Sequence, residues 1–71
     1  MRRKIGALKE RLEAAGRTVS THRGFTIATF ETGGKRKFTV YNPYEFPVAL
    51  EVSGDAAFAA RLIDDMLNER N

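Results

Sequence analysis

Ile5, Leu8, Leu12 and Ala15 recur at intervals of three and four, while Arg3, Glu10, Arg11 and Glu13 fall between them. That spacing lines the apolar group along one side of a first helix, and Gly16 is suited to end it in a left-handed conformation. After Gly16 the period drops to two. Thr18-Val19-Ser20-Thr21-His22 alternates, Phe25 and Ile27 oppose Thr26 and Ala28, and Phe38 and Val40 oppose Lys37, Thr39 and Tyr41. These runs predict three strands, rich in the β-branched residues that fit a half-buried pleat. Arg23-Gly24 and Gly33-Gly34 separate them, where two-residue hairpin turns need positive φ.

Asn42-Pro43-Tyr44-Glu45-Phe46-Pro47 interrupts the alternation as a loop. Phe46 is expected to tuck into the core and Tyr44 to stay on the surface. Val48-Ala49-Leu50-Glu51-Val52 then predicts a fourth strand with Val48, Leu50 and Val52 facing inward. Ser53-Gly54-Asp55 supplies a helix start, Ser53 or Asp55 capping a second helix over residues 56–67. Phe58, Leu62 and Met66 make its apolar line, which Ala59 and Ile63 widen.

The expected architecture is α+β: two helices packed on one face of a four-stranded antiparallel sheet, in the order α-β-β-β-β-α. The opposite sheet face, with Thr26, Ala28, Phe30, Lys37, Thr39, Tyr41, Ala49 and Glu51, is mixed and reads as solvated or as a contact surface. Seventy-one residues suffice for one domain, 1–71, with a thin stability margin. The initial Met1 and the single run of elements read as a whole gene product. With no Cys and one His, neither a disulfide nor a self-contained zinc site is expected, and no cofactor is implied. No apolar run is long enough to span a membrane, and the expectation is a soluble cytoplasmic protein.

Charge changes this picture. Residues 1–37 hold ten Lys and Arg against Glu10, Glu13 and Glu31, whereas residues 38–71 hold Arg61 and Arg70 against six acids. The overall +3 conceals that polarity. A field divided in this way points to nucleic acid or an acidic protein surface as the partner. The candidate contacts are Lys35, Arg36 and Lys37 on the Gly33-Gly34 hairpin, Arg2, Arg3 and Lys4 at the N-terminus, Arg23, and the aromatic groups Tyr41 and Tyr44. Cations neutralise phosphates, and exposed aromatic rings stack bases. The competing expectation is internal cancellation, with Lys4 or Arg11 set against Asp64 or Asp65. His22 has no nucleophile or carboxylate at a suggestive spacing, so a non-enzymatic role is expected.

The order of elements is similar to the double-stranded RNA-binding fold, whose two helices cover one face of a three-stranded sheet. That resemblance is one of topology. Where the family places lysines at the start of its last helix, this chain has Ser53-Gly54-Asp55. Leu12-Glu13-Ala14-Ala15-Gly16 followed by Val19 and His22 is similar in outline to HicA-type toxins, small ribonucleases, without the Gly that precedes the catalytic His there. The leading expectation is nucleic-acid binding. The alternative is a phage-type inhibitor that blocks a host or bacterial defence complex by covering a surface, through the same cations or the Tyr41/Tyr44 edge. The free edge of the first or fourth strand also admits a homodimer.

Overall fold

The computed structural model describes residues 7–69. Helix α1 (Ala7–Ala14) leads into strands β1 (Thr18–His22), β2 (Phe25–Thr32), β3 (Lys35–Tyr41) and β4 (Pro47–Ser53), and helix α2 (Ala56–Glu69) closes the chain. The strands form one antiparallel sheet in the order β1-β2-β3-β4, so the α+β class and the element order are as expected. Both predicted hairpins are two-residue turns. Arg23 and Gly24 adopt φ of 53° and 86°, and Gly33 and Gly34 adopt 59° and 76°. Positive φ at both central positions matches the twist of the flanking strands.

The larger core lies between the sheet and α2. Ile27, Phe38, Val40, Ala59 and Ile63 are buried there, with Phe25, Ala49, Val52, Ala56, Leu62, Met66 and Leu67 packed around them. The buried centre of the α2 stripe is thus Ala59 and Ile63, and Phe58, 42% exposed, lies at its margin. Asp55 caps the helix: its Oδ1 accepts the Phe58 N–H at 3.0 Å and its carbonyl accepts that of Ala59. No described helix is long and apolar enough to cross a membrane.

The layering differs from the expectation. Leu8 and Leu12 of α1 bury themselves against Ala28, with Val19 and Tyr41 alongside. Ala28 follows the core residue Ile27 in an unbroken strand, and the register pairs Val19 with Ala28 and Ser20 with Ile27. Successive side chains point to opposite faces, so α1 covers the face that α2 does not. Two helices on one face is therefore corrected to a helix on each, and the likeness to the double-stranded RNA-binding fold stops at element order. The mixed face receives a short helix because Val19, Ala28 and Tyr41 supply a small apolar seat sufficient for two leucines.

Strand β4 also departs from simple alternation. Val40 pairs with Ala49 but Phe38 with Val52, and Tyr41 pairs with Pro47, so an extra residue is inserted on either side of Ala49. Ala49 and Val52 pack inward, whereas Leu50 is 69% exposed. The inward line expected at residues 48, 50 and 52 is corrected accordingly. At one insertion Glu51 takes a φ of 48°, and its N–H donates to Thr39 Oγ1 at 3.2 Å. That bond accounts for a buried threonine between the core residues Phe38 and Val40.

Candidate functional site

Strand alternation decides which cations share a side. Lys35, Arg36 and Lys37 occupy the start of β3 and pair with Thr32, Glu31 and Phe30. Three consecutive strand residues cannot project together. Lys35 and Lys37 point to the α1 side. Arg36 points to the α2 side, where its Nη2 lies 2.7 Å from Glu31 Oε2. Hydrogen bonding and charge from Glu31 raise the Arg36 pKa further above its ordinary value. The hairpin therefore offers two cations on one face and a paired third on the other.

Beside Lys37 on the α1 face is Phe30, and the guanidinium carbon of Arg17 sits 4.1 Å from the centre of the Phe30 ring. The stacked arginine keeps its N–H groups at the rim of the ring, an arrangement that retains charge while covering apolar surface. Arg17, Phe30 and Lys37 thus form a row across the hairpin half of the sheet, beyond the Val19, Ala28 and Tyr41 seat of α1. Lys35 extends the row toward the turn, and Lys9 and Arg11 are exposed on the helix that shares this side. Only Glu10 and Glu13 of that helix oppose them there. Neither Arg17 nor Phe30 was among the sequence candidates. The signal was present: a two-residue turn at Gly33-Gly34 forces residues 30 and 37 into register.

Arg23 lies elsewhere. Its Nη1 is 3.1 Å from Asp64 Oδ1, and His22 Nε2 approaches the same oxygen at 2.8 Å. The partner of Asp64 on α2 is therefore the β1–β2 turn. The two contacts tether that turn to the helix on the α2 side, away from Lys35 and Lys37. Hydrogen bonds from His22, then Arg23, hold the Asp64 carboxyl below its ordinary pKa of 3.8. Because the folded chain favours the ionised form, the stability this adds is present above that value and is lost as pH falls through the lowered one. In Asp64→Asn the urea midpoint should decline less steeply below about pH 4 than in the wild type. Parallel acid limbs for the two proteins would show that the tether contributes nothing.

Of the remaining candidates, Tyr41 is half-buried against the α1 leucines, and Tyr44 is 76% exposed. Phe46, expected in the core, is 65% exposed. The loop does not need its ring as an anchor. Asn42 Oδ1 accepts the N–H groups of Tyr44 at 2.9 Å and Phe46 at 3.0 Å, and the Asn42 N–H donates to the Phe46 carbonyl. A side-chain acceptor that replaces backbone pairing is the reason asparagine starts such turns. Arg2, Arg3 and Lys4 lie outside the described residues. Among the described residues, no three His, Cys, Asp or Glu side chains gather as a metal site would require. No protein family, curated protein or solved structure matches the chain.

Proposed function

We propose that this chain is a non-enzymatic module that binds nucleic acid through the sheet face shared by α1 and the β2–β3 hairpin. The observation that supports the reading is the sorting of charge by face. Arg17, Lys35 and Lys37 stand together on one side, while Arg23 and Arg36 are neutralised by carboxylates on the other. Asp55, Asp64, Asp65 and Glu69 belong to α2 and its cap, so these four acids are behind the sheet from the cations, and Glu10 and Glu13 of α1 share their side. A polyanion approaching the α1 side meets the lysines and the Arg17 guanidinium without passing that acidic helix. Two lysines and a flat guanidinium suit phosphate oxygens, as point charges and as a forked donor. Arg2, Arg3 and Lys4 would add to the same contact in this reading.

Fluorescence anisotropy with labelled single- and double-stranded oligonucleotides tests it. If Arg17, Lys35 and Lys37 each neutralise a phosphate, affinity should fall roughly forty-fold for duplexes and twenty-fold for single strands between about 50 and 200 mM salt. Arg17→Ala combined with Lys35→Ala and Lys37→Ala should remove most of that salt dependence, whereas Arg23→Ala should leave it unchanged. The absence of oligonucleotide binding at low salt would end the proposal. Equal loss in the Arg23 variant would move the contact to the other face.

A further inference from the structure

Arg17 is the unusual member of the cationic row. Its guanidinium lies over the Phe30 ring, 4.1 Å from the centre, well within the range of a cation–π contact. Among the described residues the ion pairs engage His22, Arg23 and Arg36, and Arg17 is in none of them. The ring, not a carboxylate, therefore sets the position of this group. Thr18 pairs with Thr29 and Lys37 with Phe30, so Arg17, Phe30 and Lys37 succeed one another across the sheet at a spacing of about 5 Å. Arg17 and Phe30 are both half-buried, the guanidinium covering the ring with one face and meeting solvent with the other.

We infer that Arg17 and Phe30 form a stacking platform for one unpaired base, so that the ligand of this face is a single strand of nucleic acid; the inference rests on the nucleic-acid reading above. Charge alone does not select the strand, because Lys35 and Lys37 attract the phosphates of single and double strands alike. A guanidinium plane backed by a ring adds a contact that a duplex cannot use. Bases inside a duplex already have both faces covered by their neighbours, whereas an unpaired base can lie on a guanidinium plane or an aromatic ring. Phe30 holds the plane from beneath, so little ordering is left for the arrival of the base. The edge of the same guanidinium keeps its donors for a phosphate oxygen. Lys37, next across from Phe30, stands where it can hold a phosphate flanking that base. Lys35 points to the same side, about 7 Å further along β3, and can take the following one. Stack and charges thus lie along one line, as a single strand requires.

Anisotropy with two labelled strands of equal phosphate count, an oligothymidylate and its abasic counterpart, isolates the base contact. The wild type should bind the base-bearing strand roughly ten-fold more tightly at one salt concentration. Oligouridylate in parallel tells RNA from DNA as the source of the strand. Arg17→Lys keeps the charge and loses the plane, so the ratio should fall to about one while the salt slope, which counts cations, is retained. For duplex DNA the same change should cost far less than for the single strand. Phe30→Leu removes the backing ring and should lower the ratio as well, with circular dichroism melts to confirm that both variants fold. Equal affinity of the wild type for the base-bearing and abasic strands would overturn the platform and leave the phosphate contacts standing. A ratio that survives Arg17→Lys, or that vanishes in Tyr44→Ala alone, would overturn it too. Failure of every strand to bind at low salt would instead end the nucleic-acid reading, and the platform with it.

Discussion

Phe38→Ala is expected to remove at least about a third of the protein's stability and, at the upper end, to unfold it at room temperature. The ring is fully buried between the sheet and α2, with Ile27, Val40, Ala59 and Ile63 around it and Phe58 edge-on at 6.0 Å. Removing a buried phenyl group costs about 3–5 kcal/mol, transfer and cavity terms together. A chain of this length has a total stability of roughly 4–10 kcal/mol. The loss therefore takes about a third of it at the least and exceeds it at the most. Val40 and Ile63 cannot fill the space by small shifts, because both are pinned inside the same cluster. Urea titration followed by circular dichroism should show the midpoint falling by about a third or more. Phe46→Ala removes the same group from an exposed site and should cost under about 0.5 kcal/mol. If the two variants unfold at similar midpoints, the core is not where the structure puts it.

Gly54→Ala is expected to cost about 2–4 kcal/mol, far more than one methyl group suggests. Two separate causes act. Gly54 holds a φ of 142°, a backbone conformation open to glycine and hardly to anything else. A β-carbon there would stand 2.7 Å from Phe58 Cδ2 and 3.1 Å from Phe38 Cε2, closer than side chains approach one another. The chain at this point turns from β4 into the Asp55 cap, and the Gly54 N–H is bonded to the Arg36 carbonyl at 3.0 Å. The backbone therefore cannot rotate away without uncoupling α2 from β3. A double-mutant cycle separates the causes. In a Phe58→Ala background the closest clash is removed, while the contacts with Phe38 Cε2 at 3.1 Å and with the Cβ of residue 58 at 3.3 Å remain, and the cost should drop to about 1–3 kcal/mol. An unchanged cost in that background would mean that the Phe58 ring does not constrain the turn. A substitution tolerated outright would mean that the φ is not required.

How far these features could be read from the residues depends on where the information resides. The two hairpin turns, the Asp55 cap and the inward pairs Phe25/Ile27 and Phe38/Val40 were legible, because each is written in local chemistry or in a clean period. The side of the sheet taken by α1 was not. Leu8 and Leu12 announce an apolar stripe but carry no mark of the face that receives it. The deciding residues, Ala28 and Tyr41, looked like members of a solvated mixed face. The displaced register of β4 left still less trace. Val48-Ala49-Leu50-Glu51-Val52 alternates well by hydropathy, and Glu51 is not a residue that advertises positive φ. The reason lies thirteen to eleven positions upstream, in the pairing of Phe38 and Val40 and the hydroxyl of Thr39. Phe46 was misplaced for a related cause, since the Asn42 amide does the anchoring that an aromatic ring was expected to do. For the cations, a run of three neighbours suggested one cluster, and strand geometry split it. Arg17, isolated in sequence, completes the group only through the Phe30–Lys37 pairing.

The opposed faces have an electrical consequence. With basic groups ahead of the sheet and carboxylates on the helix behind it, the molecule carries a dipole directed through its layers, superimposed on a modest excess of positive charge. A charged surface nearby exerts a torque before any contact is made, so the protein arrives already turned. A cationic resin and an anionic one should each find a side to hold. Its behaviour on ion exchangers will follow the orientation it adopts more closely than the isoelectric point calculated from its residues.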